Sequence, residues 1–203
     1  MNLGWTHRSD QKVNIRVSIV WNMFKEGIEK KVLEICEAEG IFKEKMKPHE
    51  NFNFAFKVTY PPRHPHPKHL VVVVPKNKKF VSIELATKIS PQHLEAFKKM
   101  EEQTGTSFIP LFFHILTKML LNRNLFYQFN AKNNSYVFSE HIYFDGLTMD
   151  NFYRAIRKIY YASVSAHITI NEVASGKFKG LRMPSKMDTA EDGQGSPEDL
   201  YYS

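Results

Sequence analysis

The residues best suited to chemistry lie in the segment PPRHPHPKH at positions 61–69, where three histidines, an arginine and a lysine stand among four prolines. Two histidines separated by one residue point the same way on an extended strand, where both rings are able to ligate one metal ion. Prolines instead favour a polyproline II helix with about three residues per turn, in which the rings of His64 and His66 diverge. No cysteine or carboxylate stands nearby to complete a site, so we predict no metal site. The segment is predicted to be a stiff connector, with contact to an anion or a partner as the second interpretation; its candidate binding residues are Arg63, His64, His66, Lys68 and His69.

A second group of cations, Arg154, Arg157 and Lys158, recurs at spacings of three and four. On a helix such spacings place side chains on one face, so these three are also candidate binding residues. The formal net charge is +7; residues 181–203 hold two basic and five acidic residues, a net charge of −3, which leaves +10 for the rest of the chain. A basic body attracts polyanions such as RNA, DNA or acidic proteins. A lysine-rich solvated surface is the alternative.

A third group surrounds His141, since Glu140, Asp145 and Asp150 stand close to it in the sequence. A carboxylate beside an imidazole is able to do general acid–base chemistry. Asp145-Gly146 is also typical of a turn that leads into a helix cap, which is our prediction for it. The sequence has no G-x-S-x-G, P-loop, G-x-G-x-x-G or C-x-x-C motif. We therefore predict no catalytic residue, no enzymatic activity and no cofactor.

All three groups must be positioned by a small set of elements. Apolar residues at spacings of three and four predict helices, whereas alternation or a short apolar run between turn residues predicts strands. Helices are predicted at 20–40, 90–105, 107–124 and from 144 onward, and strands at 51–60, 69–75, 80–89, 125–130 and 135–144. Residues 163–173 fit either a helix or a strand, and the helix is favoured. Cys36 falls on the apolar stripe of the first helix, so we predict a core position for it.

The composition fits one soluble domain, because 42% of the 203 residues are hydrophobic and 24% are charged. We predict a flexible arm at 1–17, a single domain at 18–176 and a disordered acidic tail at 177–203, which has too little apolar surface to fold alone. The sequence has one cysteine, no apolar run of 18 residues and no apolar signal segment at its start. We therefore expect a cytoplasmic protein without membrane spans.

The element order α-β-β-β-α(α)-β-β-α predicts an α+β fold with a mostly antiparallel five-stranded sheet and helices packed chiefly on one face. This order resembles that of the type III secretion chaperone-like fold. Segments 69–93 (HLVVVVPKNKKFVSIELATKISPQH) and 140–156 (EHIYFDGLTMDNFYRAI) resemble an uncharacterised archaeal domain-of-unknown-function family with that fold, over roughly residues 18–175. Members of the wider fold bind other protein chains, often as dimers. The resemblance therefore implies a binding module, but it carries over no individual site residue.

The run HLVVVV at 69–74 offers apolar side chains on both faces of a strand. One face is predicted to pack on helices, and the other needs a cover, either from the chain's own helix or arm or from a second chain. We therefore predict a chaperone- or adaptor-like protein-interaction module, as a homodimer or with a protein partner. The alternative is a basic RNA- or ribosome-associated protein. Its weakness is that successive turns of a meander lie at opposite ends of a sheet, which spreads the cations apart.

Overall fold

The computed structural model describes residues 26–105, 107–121, 123–175 and 177. The flexible arm predicted at 1–17 lies outside the described residues, and so does the acidic tail predicted at 177–203, apart from Lys177. Residues 18–25 of the predicted domain also lie outside them.

Six antiparallel strands form one sheet, and their bounds are β1 (Phe42–Lys45), β2 (Phe52–Tyr60), β3 (Lys68–Pro75), β4 (Phe80–Lys88), β5 (Phe126–Asn130) and β6 (Ser135–Tyr143). They lie side by side in the order β1-β2-β3-β4-β6-β5. The predicted α+β fold with an antiparallel sheet is confirmed. The predicted number of five strands is wrong, because β1 escaped prediction.

Strand β1 has the sequence FKEK, which carries a single apolar residue and therefore no alternation that identifies a strand. It pairs with β2 at the edge of the sheet, and the register shifts between Phe42 and Glu44. A short, charged and bulged strand is a common way to end a sheet, because it discourages pairing with a further chain. Because of the same features, no apolar pattern in the sequence identifies β1 as a strand.

Within the described ranges, four helices accompany the sheet: α1, whose described part covers residues 26–38, α2 (Pro91–Thr104), α3 (Phe108–Leu121) and α4 (Met149–Ala174). Ser90 caps α2, because its hydroxyl accepts a hydrogen bond from the His93 backbone N–H. Thr148 caps α4 in the same way, with the Asn151 N–H as donor. Helix α4 runs unbroken through residues 163–173, so the favoured helical interpretation of that segment is confirmed. Its buried stripe continues there because alanines and aliphatic residues recur at helical spacing.

The core lies between the helices and one face of the sheet. The side chains of Phe56, Val72, Ile83 and Phe138 project from four neighbouring strands into a single cluster, to which all four helices contribute buried side chains. Cys36 of α1 is fully buried in it, as predicted. Burial raises the pKa of its thiol to about 12, so the cysteine is packed as a small apolar group.

The opposite side of the sheet, which we call the open face, has no helix of the described part of the chain packed on it. Val73 lies on this face between Ala55 and Ser82, its neighbours on β2 and β4. All three side chains are buried. The further cover that we predicted for the valine run stays a prediction. None of the helices in the described ranges has the length and apolarity needed to span a bilayer.

Candidate functional site

The last residues of β6, 140–143, form a partly unpaired strand end, which we call the free end of β6. Strand β5 pairs with β6 only as far as Phe126 and Ser139. It stops there because Asn124 adopts a left-handed backbone with φ 49°, which takes the chain away from the sheet. Strand β4 pairs with β6 as far as Tyr143. The free end therefore has β4 on one side and no described strand on the other.

The backbone groups of the free end alternate between these two sides. The Phe144 N–H donates to the Lys79 carbonyl at 3.1 Å, and the Ile89 N–H donates to the Asn134 carbonyl at 2.9 Å. In an antiparallel ladder such pairs recur at every second residue, so the even-numbered residues of β6 direct their backbone groups towards β4. The N–H and C=O groups of His141 and Tyr143 consequently point to the unpaired side. A strand edge of this kind is able to accept another extended chain.

Four aromatic side chains line the open face around this free end, and we call them the ring row (Phe126, His141, Phe80 and Tyr143). The His141 ring stacks between Phe80 and Phe126, at centroid distances of 4.2 and 4.8 Å. Tyr143 meets Phe80 edge-on at 6.0 Å. Phe126 is 59% exposed and Tyr143 is 63% exposed, although both are large rings. Clustered exposed rings of this size are typical of a surface that binds another molecule.

On the helix side, a cavity of about 510 Å³ lies between the free end of β6 and α4; we call it the β6 cavity. Lys158 crosses it and donates to both carboxylate oxygens of Glu140, at 2.8 and 2.9 Å, and to the Asn124 carbonyl at 3.2 Å. Arg154 also lines the cavity and pairs with Asp150 at 2.6 Å. The two cations that line the β6 cavity are therefore already paired with carboxylates.

The three predicted cations of α4 do not form one patch. Arg154 and Lys158 line the β6 cavity, whereas Arg157 lines a second cavity on the other side of the helix. The three residues lie within a stripe about 100° wide, as their spacing predicts, but the two edges of this stripe border different cavities. Their role in binding stays a prediction. Arg157 differs from the other two in having no ion pair with any described residue.

The His-Pro connector joins β2 to β3, away from the free end of β6. Arg63, His64 and His66 are exposed, and Arg63 has a left-handed backbone with φ 60°. The two histidine rings lie 6.5 Å apart at 67°, and His64 Nδ1 accepts a hydrogen bond from the His66 N–H at 3.1 Å. The remaining two candidates, Lys68 and His69, begin β3. Among the described residues, no three or more His, Cys, Asp or Glu side chains cluster as metal ligands.

Glu140, His141 and Asp145 all line the β6 cavity, but the contacts of their side chains differ. Glu140 faces the helices and is held by Lys158, while His141 lies in the ring row on the open face. Asp145 Oδ1 accepts from the Gly146 N–H, which is a local turn contact. The strand alternation thus directs the imidazole and its neighbouring carboxylate to opposite faces of the sheet.

The ring row and the free end of β6 were missed by sequence reasoning. Phe80, His141 and Tyr143 do alternate with core residues along their strands, which is a signal that they lie on the outer face. Their assembly depends on the strand order, because β6 lies between β4 and β5 although β5 precedes it in the chain. That order was not part of the predicted fold.

Residues 28–170 match a family described as an uncharacterized conserved protein, DUF2299. The chain belongs to DUF2299. The DUF2299 match includes all six strands and the whole free end of β6, and it confirms the predicted membership of an uncharacterised family. No curated protein matches the chain.

The DUF2299 fold is similar to that of an uncharacterized protein from the archaeon Methanothermobacter thermautotrophicus, known from a crystal structure. The two share 25% sequence identity and a TM-score of 0.59, over 71% of this chain and 96% of the archaeal one. The similarity supports the α+β architecture and carries no activity with it.

Proposed function

We propose that this DUF2299 protein is a chaperone- or adaptor-like protein-interaction module that binds a partner chain at the free end of β6. The observation that carries the proposal is the combination of outward backbone groups at His141 and Tyr143 with two exposed rings beside them. The resemblance to the type III secretion chaperone-like fold, whose members bind other protein chains, supports it. The buried single cysteine is compatible with the cytoplasmic location that we propose.

In the proposed complex, an extended segment of the partner adds alongside residues 140–143 as a further strand. The backbone groups of His141 and Tyr143 bond to it, which gives affinity without dependence on sequence. Side chains of the added strand alternate in direction. One set packs against the ring row, where burial of an aromatic side chain stabilises a complex by about 1.5–3 kcal/mol. The side chains on the other face of the added strand enter the β6 cavity, where they contact the Lys158–Glu140 and Arg154–Asp150 ion pairs.

The partner is first identified by a pull-down from the native host with mass spectrometry, and the purified complex is then tested by amide hydrogen exchange. We expect the amides of His141 and Tyr143 to become protected on binding. We also expect Phe126→Ser to weaken binding about tenfold or more. Tyr161→Ser is the matched control, since Tyr161 is a similarly exposed ring on α4 (58%). Unchanged exchange at residues 141 and 143 in a saturated complex would contradict the proposal.

A homodimer is one form of the proposed interaction, with a second copy as the partner. Light scattering of the purified chain measures this directly. A dimer that Phe126→Ser converts to a monomer supports pairing through the ring row. If the wild-type chain is a monomer, the homodimer is excluded and the proposed partner is a different protein.

A basic RNA- or ribosome-associated protein is the second candidate. The observation that favours it is the turn between β3 and β4, where Lys76, Lys78 and Lys79 are exposed next to Phe80 and have no ion pair among the described residues. Against it, the rings of the row stack on one another, which leaves fewer ring faces for bases. Filter binding over a salt series separates the candidates, because phosphate contacts make affinity fall steeply with salt.

A further inference from the structure

The second cavity beside α4, of about 620 Å³, combines polar groups that have no described partner; we call it the tyrosine cavity. It lies between the end of α1, the end of β2, the His-Pro connector and the first turns of α4. Tyr60, Tyr153 and Arg157 line it, together with Pro62 and Met149. Its volume is within the range of pockets that bind small molecules. It is distinct from the free end of β6, which lies beyond the other side of α4.

The Tyr153 hydroxyl is the strongest pointer to a ligand. Its oxygen is buried and has no hydrogen-bond partner among the described residues. Buried polar groups are nearly always paired, so an unpaired one calls for an explanation such as a bound molecule. Burial raises the pKa of this hydroxyl, and the Glu39 carboxylate raises it further. The group therefore stays protonated and is able to donate a hydrogen bond.

Arg157 supplies the cation of the tyrosine cavity. It is exposed, and unlike Arg154 and Lys158 it has no carboxylate partner in the described part of the chain. Its charge acts on the hydroxyl of Tyr60, whose pKa is raised mainly by burial and lowered in part by Arg157. One arginine and two tyrosines thus line one space. A guanidinium beside hydroxyl donors suits a carboxylate, which it binds through two parallel hydrogen bonds.

The same cavity also contains negative charge. Glu39 and Asp150 both line it. Asp150 is held by Arg154, whereas Glu39 has no ion pair with a described residue. A multiply charged anion such as a phosphate would meet these carboxylates at close range, which disfavours it. A ligand that carries both a carboxylate and an ammonium group matches Arg157 and Glu39 together.

We propose that the tyrosine cavity binds a small zwitterion of the α-amino acid class with an apolar side chain. The ligand carboxylate accepts hydrogen bonds from Arg157 and the tyrosine hydroxyls. Its ammonium group lies towards Glu39, and its apolar body packs against Pro62, Met149 and the tyrosine rings. This site explains why the connector and the α4 cations, which the sequence marks as separate candidate groups, meet at Pro62 and Arg157.

Isothermal titration calorimetry on the full chain tests the proposal with the twenty amino acids, L-phenylalaninamide and 3-phenylpropionate. The amide lacks the carboxylate, and 3-phenylpropionate lacks the ammonium group. We expect saturable binding of one or more apolar amino acids, and binding at least about tenfold weaker for the analogue that lacks either charge, because each charged hydrogen-bond set is lost. Absence of saturable binding of every amino acid up to about 10 mM overturns the proposal.

Two variants place the binding in this cavity. Arg157→Gln is expected to weaken binding about tenfold or more, and Tyr153→Phe about fivefold, while Lys98→Gln, an exposed cation on α2, leaves it unchanged. Circular dichroism confirms that each variant is folded, and Tyr153→Phe removes only one oxygen atom. Binding that survives both substitutions at wild-type affinity overturns the site. A negative result here does not contradict the proposed binding of a partner chain at the free end of β6. That proposal is tested separately, by Phe126→Ser and by the amide exchange of residues 141 and 143.

Discussion

Replacement of Tyr153 by phenylalanine is predicted to stabilise the ligand-free protein. The hydroxyl oxygen is buried without a described partner. A buried polar group left unpaired costs about 1–3 kcal/mol. Removal of one oxygen atom leaves a void on the order of 10 Å³, and at about 24 cal/mol per Å³ this offsets only about 0.2–0.3 kcal/mol. The free energy of unfolding should therefore rise by about 1–2 kcal/mol.

Thermal unfolding followed by circular dichroism, with urea unfolding as a second measure, provides the assay. For a domain of this size, 1 kcal/mol corresponds to about 2–4 °C in Tm, so an increase of roughly 2–8 °C is expected. Tyr127→Phe is the matched control, for which we expect Tm to fall instead of rise. The Tyr127 hydroxyl lies 2.6 Å from Thr117 Oγ1, so its removal breaks a hydrogen bond and should destabilise by about 1 kcal/mol.

The reasoning is refuted if Tyr153→Phe lowers Tm by as much as Tyr127→Phe does. That result means that the Tyr153 hydroxyl has a stabilising partner in the free protein, such as an ordered water. It would also remove the main support for a ligand in the tyrosine cavity. Tyr161→Phe, which removes an exposed hydroxyl, should change Tm little and sets the baseline for both variants.

Two further predictions concern charge. Lys158→Gln should lower the free energy of unfolding by about 1–3 kcal/mol, measured in urea. The reason is that the ion pair with Glu140 is largely shielded from water (25% and 21% exposed), and the Glu140 carboxylate loses its main partner. A loss below about 0.3 kcal/mol contradicts this prediction. The pKa of His167 is lowered from 6.5 by partial desolvation, then by the charges of Lys68 and His93, so the native state binds fewer protons than the unfolded state. Stability should therefore fall as pH drops below about 6.5, and His167→Gln should make the pH profile of Tm flatter than that of the wild type.

The sequence predicted local elements well where a single period dominates. The apolar stripe that buries Cys36 and the alternation of β2 both have their predicted place in the core. Helix α4 continues to Ala174 although its second half is rich in β-branched residues, because alanines and aliphatic residues keep the helical spacing there. Burial against the sheet overrides the weak preference of β-branched residues for strands.

The candidate sites could be predicted only in part, because they depend on which strands become neighbours. His141 was singled out for the carboxylates beside it in sequence, yet its ring contacts are Phe80 and Phe126, which come from other strands. The spacing of the α4 cations does place them on one stripe of the helix, but it does not show that two different cavities border this stripe. The surroundings of the His141 ring are set by tertiary pairing, which a local pattern does not contain.

The place of β6 between β4 and β5 has a consequence for the protein during synthesis. Lys88 pairs with Ser135, so residues 89–134 must be made before the ladder between β4 and β6 begins, and it ends only at Tyr143. At a translation rate of about 5–20 residues per second, the edge of β4 stays unpaired for on the order of 3–10 s before β6 has been synthesised. During that interval β1 to β4 present an open apolar edge, Val81, Ile83 and Leu85 included, to other nascent chains. Co-translational aggregation should therefore be governed by the segment that delays β6, namely α2 and α3, rather than by the stability of the finished sheet.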